Sequence, residues 1–256
     1  MKLFLALPLL LVAADVEGHS GLPHPLGLAA SFSRIYHQLD DINLGNCSLS
    51  NVYLSLNEEK SSLPHPSKNL TLKYVALGRG TQNYTCPSDA SSNSKTTVEP
   101  TAVGAVATLF DASCIAASSL ALLHEVPALI SKTPVGSLAF MATLVSQGTR
   151  STNLIIGEHY FNDGGDPVFD MELSGSDSWI AASKIASTPA PKSKSRSRSR
   201  SKTPGDVPWL KLGQKKGNGI QEVYRVVTSL GDSPSTCAGQ KTTIEVDYAA
   251  EYWFYG

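Results

Sequence analysis

Apolar positions along the chain come in short runs, and the clearest of them repeat at period two. Over Thr242 to Phe254, the side chains of Ile244, Val246, Tyr248, Tyr252 and Phe254 fall on one face, the alternation of a half-buried strand. Ile220 to Thr228 is an equally clear strand, and Ala105 to Phe110, Leu138 to Val145 and Leu154 to Phe161 are further apolar strand candidates. The last of these ends at Asn162-Asp163-Gly164-Gly165, a turn signal. Lys73 to Cys86 reads as two strands hinged at Gly78-Arg79-Gly80, and another strand ends near Ile185. Helical periodicity is scarce. It is confined to Ser31 to Leu39 and to Ser118 to Leu123, with Pro127 expected to stop the second helix. The pattern predicts a mainly β fold, a sandwich or partly closed barrel with one or two short helices.

Two stretches interrupt the pattern. Residues 87 to 100 form a polar, Ser/Thr-rich loop. Residues 187 to 206 (STPAPKSKSRSRSRSKTPGD) are low-complexity and cannot bury enough apolar surface to order themselves, so they are expected to be a disordered, exposed RS-type insertion between strands. The amino terminus differs again: Lys2, an apolar run from Leu3 to Val12, and the small residues Ala13 and Ala14 make a signal peptide of residues 1–14. That run is shorter than the roughly 20 residues a membrane helix needs. Residues 15–256 are then a single secreted domain.

Secretion changes how the cysteines and asparagines are read. Cys47, Cys86, Cys114 and Cys237 are an even set without a C-x-x-C spacing, so two disulfides are expected, and spacing leaves all three pairings open. Asn46, Asn69 and Asn83 each begin an N-x-S/T sequon and are candidate glycosylation sites. Of the 21 basic residues Lys2 lies in the signal and six lie between 192 and 202, which leaves fourteen against 22 acidic ones. A body this acidic is a poor platform for nucleic acid. Binding of RNA or another polyanion is therefore expected only at Lys192, Lys194, Arg196, Arg198, Arg200 and Lys202, whose intervening serines are also kinase targets that would reverse the charge.

Candidate chemistry is sparse. His159, with Glu158 beside it and Asp163, Asp166 and Asp170 following, suggests an acid–base or metal site, with His159 and Asp170 the first choices. The carboxylates lack the alternating spacing of a calcium loop, and a packed histidine beside a solvated turn is the simpler reading. His124-Glu125 begins a zinc-protease motif but Ala128 stands where the second histidine belongs. Gly231-Asp232-Ser233 is followed by Pro234 and reads as a turn. His19 becomes a candidate copper ligand if cleavage falls after Gly18, with His65 or His159 as its partner. No cofactor is expected.

Six ordered stretches carry a resemblance: Val75 to Cys86 (VALGRGTQNYTC), Ala102 to Cys114 (AVGAVATLFDASC), Gly157 to Phe161, Val207 to Leu212, Ile220 to Thr228 and Tyr248 to Tyr255. Together they resemble a family of secreted fungal proteins, with shorter bacterial relatives, catalogued as a domain of unknown function. The resemblance implies secretion, a β-rich fold and no established activity. Bacterial relatives keep cysteines resembling Cys86 and Cys237, which implies that these two pair and leave Cys47 with Cys114. Relatives have a shorter loop before Val207-Pro208-Trp209, so the RS-type tract is an addition. Members are sometimes labelled malate dehydrogenase-like. Gly78-Arg79-Gly80-Thr81-Gln82-Asn83 argues against that label, because it lacks the third glycine of a dinucleotide turn and runs into a strand.

Three functional expectations result. The first is a secreted, non-enzymatic protein of a fungus acting at the cell surface or a host interface, as a virulence effector or on wall polymers. The second is an effector delivered to a host nucleus, where the tract binds RNA or splicing proteins and alters pre-mRNA splicing. The third is a secreted hydrolase or oxidase centred on His159.

Overall fold

The computed structural model describes residues 25–39, 42–44, 47–56, 62–92, 97–149, 153–191 and 205–256. Eight strands run in chain order around a closed antiparallel barrel: β1 (Leu72–Thr85), β2 (Thr101–Asp111), β3 (Ile155–Phe161), β4 (Pro167–Asp170), β5 (Trp179–Thr188), β6 (Trp209–Asn218), β7 (Glu222–Leu230) and β8 (Thr243–Tyr255). Closure comes from β8, which pairs with β7 on one side and with β1 along nearly its whole length on the other, from Leu72 opposite Tyr255 to Thr85 opposite Thr243. A closed barrel leaves no strand edge to be protected. Among the described residues five α-helices lie outside it: α1 (Pro25–Leu39), α2 (Ser88–Ser92), α3 (Ser113–Ser118), α4 (Leu120–Ile130) and α5 (Val135–Thr149). The last three fill the connection between β2 and β3.

Period-two burial divides the apolar residues into two cores. One lies inside the barrel, built from inward residues such as Leu109, Phe169, Leu212, Val223, Tyr252 and Phe254. The other lies between the outer barrel wall and the helices, where Leu77, Tyr224 and Trp253 meet Ile115, Leu123 and Val126. β8 belongs to both, so from Tyr248 to Tyr255 it is buried on each face rather than half-buried. The outer face is buried because α4 and the segment carrying Leu54, Leu56 and Leu63 cover it.

Both disulfides form, as Cys86–Cys237 and Cys47–Cys114. Cys86–Cys237 joins the exit of β1 to the β7–β8 loop. Cys47–Cys114 ties the amino-terminal segment to α3. They close stretches of 151 and 67 residues respectively, for which loop entropy gives about 4–5 kcal/mol each.

Three sequence expectations are corrected. Gly78-Arg79-Gly80 is no hinge: β1 is continuous through it. The glycines face the barrel interior, where a Cβ on Gly78 would collide with the Tyr252 ring and one on Gly80 with the backbone of Val106. Arg79 points outward, where its Nε–H donates to the carbonyls of Ile130 and Thr133 at 3.0 Å each, capping the end of α4. Leu138 to Val145 is the middle of α5, not a strand. An eight-residue apolar run carries no period that separates the two structures, and its helical flanks decide. Pro127 sits inside α4, which continues to Ile130. A proline forfeits only its own N–H bond, and burial of Leu122, Leu123, Val126, Leu129 and Ile130 holds the helix together.

Candidate functional site

Barrel alternation determines where His159 and Asp170 go. His159 is opposite Phe169 in the β3–β4 ladder and Asp170 opposite Glu158, one residue out of phase. The histidine therefore faces inward and the aspartate outward, and the structure does not bring the two together. Asp170 accepts the backbone N–H of Glu172 at 2.9 Å and shapes the turn after β4. His159 is 3 % exposed, stacked on Phe169 with ring centroids 4.2 Å apart, and its Nδ1–H donates to the Val168 carbonyl at 2.8 Å. Burial pushes its pKa down to about 4, with the Arg225 charge adding to the fall and the Val168 bond opposing it. The imidazole is neutral at physiological pH.

Other polar groups inside the barrel are equally sealed. Tyr248 and Tyr252 share a hydroxyl contact of 2.9 Å, and burial raises the pKa of both, so they stay protonated. Tyr84 donates to the Gly231 carbonyl at 2.7 Å and is pushed up to about 12 by burial, then by Asp232. Arg225 donates from Nη2 to the Pro208 carbonyl at 2.9 Å. The interior is a packed aromatic ladder, Phe169 touching Tyr252 and Phe254 at centroid distances of 5.3 and 5.6 Å. An eight-stranded barrel is narrow enough for side chains to fill.

The outer wall carries a different cluster. Glu251, fully buried on β8, lies 2.7 Å through Oε1 from His124 Nδ1 on α4 and accepts the indole N–H of Trp253 on Oε2 at 3.0 Å. Just past the end of α4, the hydroxyls of Ser131 and Ser229 meet at 3.1 Å. These contacts fix α4 against β7 and β8. Sequence reasoning stopped at His124-Glu125 and missed Glu251, because the true partner lies 127 positions away. The signal was there: a lone carboxylate within the apolar run Ala249 to Tyr255 needs a buried partner.

The model of a family described as Protein of unknown function (DUF3455) matches residues 66–256. The chain belongs to this family. No curated protein and no solved structure matches it. The DUF3455 region contains the whole barrel, α2 to α5 and Cys86–Cys237, whereas α1 and Cys47 lie before it. Cys47–Cys114 thus fastens the preceding segment onto the DUF3455 domain.

Two concavities lie where that segment meets the DUF3455 domain. A cleft of about 700 Å³ runs along residues 49–56, His65 and the Tyr255 end of β8. Beneath the nearby loop, Glu222 accepts from the backbone N–H and the hydroxyl of Ser67 and pairs with Lys211 at 3.0 Å, while Lys211 also donates to the His65 carbonyl. The second is an apolar groove of about 420 Å³ between α1, α3, α4, α5 and the outer faces of β1 and β2.

Remaining candidates are scattered. Asn69 is exposed in a turn, whereas Asn83 is half-buried within β1 with its Oδ1 accepting from Thr81 at 2.9 Å. His65 is exposed in a loop and His159 is inside the barrel, so the two partners considered for His19 are held apart. His19, Asn46 and the tract cations Lys192, Lys194, Arg196, Arg198, Arg200 and Lys202 lie outside the described residues. Among the described residues no group of three potential metal ligands assembles, and no helix is long and apolar enough to cross a membrane.

Proposed function

We propose that this DUF3455 member is a secreted, non-enzymatic protein that acts at the cell surface or a host interface. The observation that carries the reading is the pair of disulfides, Cys47–Cys114 and Cys86–Cys237, which together tie distant parts of the chain. Bonds of this kind persist in oxidising compartments. The amino-terminal signal pattern and the exposed sequon at Asn69 support the same address. The sealed, neutral state of His159 weighs against the hydrolase or oxidase reading. Locating a tagged chain in the producing organism tests the proposal: it should appear in the medium or on the wall, oxidised and with a mass that falls on deglycosylation. A reduced, unglycosylated cytosolic protein would overturn it. Turnover of a wall polymer by wild type and not by His159→Ala would overturn the non-enzymatic part.

A second reading, delivery to a host nucleus, is favoured by the position of the RS-type tract in the topology. The tract connects β5 to β6, whose ladder is paired up to Thr188 opposite Trp209. The barrel is thus complete at the base of the insertion, and a basic segment there is separable from the acidic body. Deleting Lys192 to Lys202 should leave the fold intact while abolishing nuclear speckle localisation and RNA binding. Unchanged localisation and binding would sink this reading.

A further inference from the structure

The apolar groove is walled by six helix and strand elements, and its volume of about 420 Å³ lies within the range of small-molecule sites. Its lining is uniform in chemistry. Twelve of the thirteen lining side chains are apolar, and the single hydroxyl belongs to Ser33, which is exposed and so stands at the rim. Such a lining selects its occupant. A peptide or protein loop would bring backbone N–H and C=O groups into a space whose side chains offer them no partner, and a buried unpaired amide is costly. An aliphatic chain brings no such groups.

The fourth wall adds a second observation. α5 (VGSLAFMATLVSQGT) contains no charged residue, and it is apolar on two faces. Leu138, Ala142 and Val145 line the groove, while Phe140 is 65 % exposed and Leu144 41 % exposed. Met141 serves both, lining the groove and standing half-exposed. A thioether on an unbranched chain adapts to irregular apolar shapes. Exposed apolar side chains mark a surface that meets another apolar phase, and here that surface is continuous with an apolar cavity.

We propose that the groove between α1, α4 and α5 binds the hydrocarbon chain of a single-chain lipid, with the polar head left in water at the Ser33 rim, and that the outer face of α5 contacts the membrane from which the lipid is taken. The site deepens the reading of a secreted, non-catalytic protein, which it uses only to say where the lipid is met. Binding is measured on purified protein and location in cells, so either can fail alone.

The test uses the full chain expressed through a secretory pathway, stripped of lipid with its disulfides intact, and titrated with the fluorescent fatty acid cis-parinaric acid. Wild type should bind at one saturable site. Ala142→Trp, which fills the groove, should weaken binding at least tenfold, and Met141→Lys, which places a charge in its wall, should do the same without adding bulk. Phe140→Glu should leave affinity within twofold but slow uptake from phosphatidylcholine vesicles loaded with the probe at least fivefold. Absence of saturable binding by wild type overturns the proposal, as does binding that Ala142→Trp and Met141→Lys leave unchanged. So does a wild-type dimer that Phe140→Glu dissociates, since a second copy would then be what covers α5.

Discussion

The same strands build two apolar compartments, and the two are finished in opposite ways. Ala76 and Leu109 face the barrel interior, while their neighbours Leu77 and Phe110 face the groove under the helices. Inside, Gly78 makes room for the Tyr252 ring and Gly80 for the backbone of Val106, and the rings of His159, Tyr252 and Phe254 all touch Phe169. Outside, helices bridge the wall but leave about 420 Å³ open. A filled compartment contributes stability through burial and close packing, and an open one forgoes part of that contribution in return for room to bind. The barrel interior is therefore where the fold is secured, and the outer layer is where a ligand can be accommodated. The groove crosses the DUF3455 boundary, since α1 precedes residue 66 while its other walls lie within residues 66–256.

The contrast can be broken most strongly through the disulfides. Replacing both Cys86 and Cys237 by Ser should lower barrel stability by about 4–5 kcal/mol, read as a fall in the denaturant midpoint of tryptophan fluorescence. Replacing Cys47 and Cys114 should instead release the amino-terminal segment first, seen as early hydrogen exchange in α1 and residues 47–56 while β1 and β8 stay protected. Equal loss of protection in both regions would contradict the division.

Acid acts on the interior through His159. His159 is neutral in the folded barrel with a pKa of about 4, against 6.5 in the unfolded chain, so the unfolded state takes up a proton first as pH falls. The His159 contribution is constant above pH 6.5 and stability is lost through it on acidification from that value toward pH 4, by about 3 kcal/mol in full. His159→Phe should remove this component of the pH dependence, measured by denaturant unfolding at pH 7, 5.5 and 4. A wild-type profile that the substitution leaves unaltered would show that the imidazole is not sealed.

Smaller substitutions separate the two compartments further. Gly78→Ala pushes a methyl group at the Tyr252 ring and should cost about 1–3 kcal/mol. Ala142→Trp adds far more bulk to the outer groove, yet should change barrel stability by no more than about 0.5 kcal/mol. Thermal melts of the two variants side by side rank the compartments, and the reverse order would overturn the comparison.

Much of the barrel was legible in the chain because short apolar runs bounded by turn residues mark β2, β3 and β7 and period-two alternation marks β8. Gly78-Arg79-Gly80 misled because glycine marks both a turn and a close approach, and only the Tyr252 ring lying across β1 distinguishes them. α5 misled because a helix that is apolar on two faces has no stripe to display. Alternation also does not reveal whether strands stack as two sheets or close, which here depends on the β1–β8 ladder between the two ends of the domain. The site was less legible than the fold. His159 was visible as a residue type, but its phase opposite Phe169, not its neighbours in sequence, decides that it is packing. Glu251 and the groove depend on contacts across more than a hundred residues, which no local pattern records.

The most direct measurement is a parallel titration of wild type, Ala142→Trp and His159→Phe with cis-parinaric acid at pH 7, joined to unfolding of the same three proteins at pH 7 and pH 4. Binding should fall at least tenfold only in Ala142→Trp, and the acid-dependent loss of stability should shrink only in His159→Phe. Binding that survives Ala142→Trp and is abolished by His159→Phe would place the ligand inside the barrel and contradict the account.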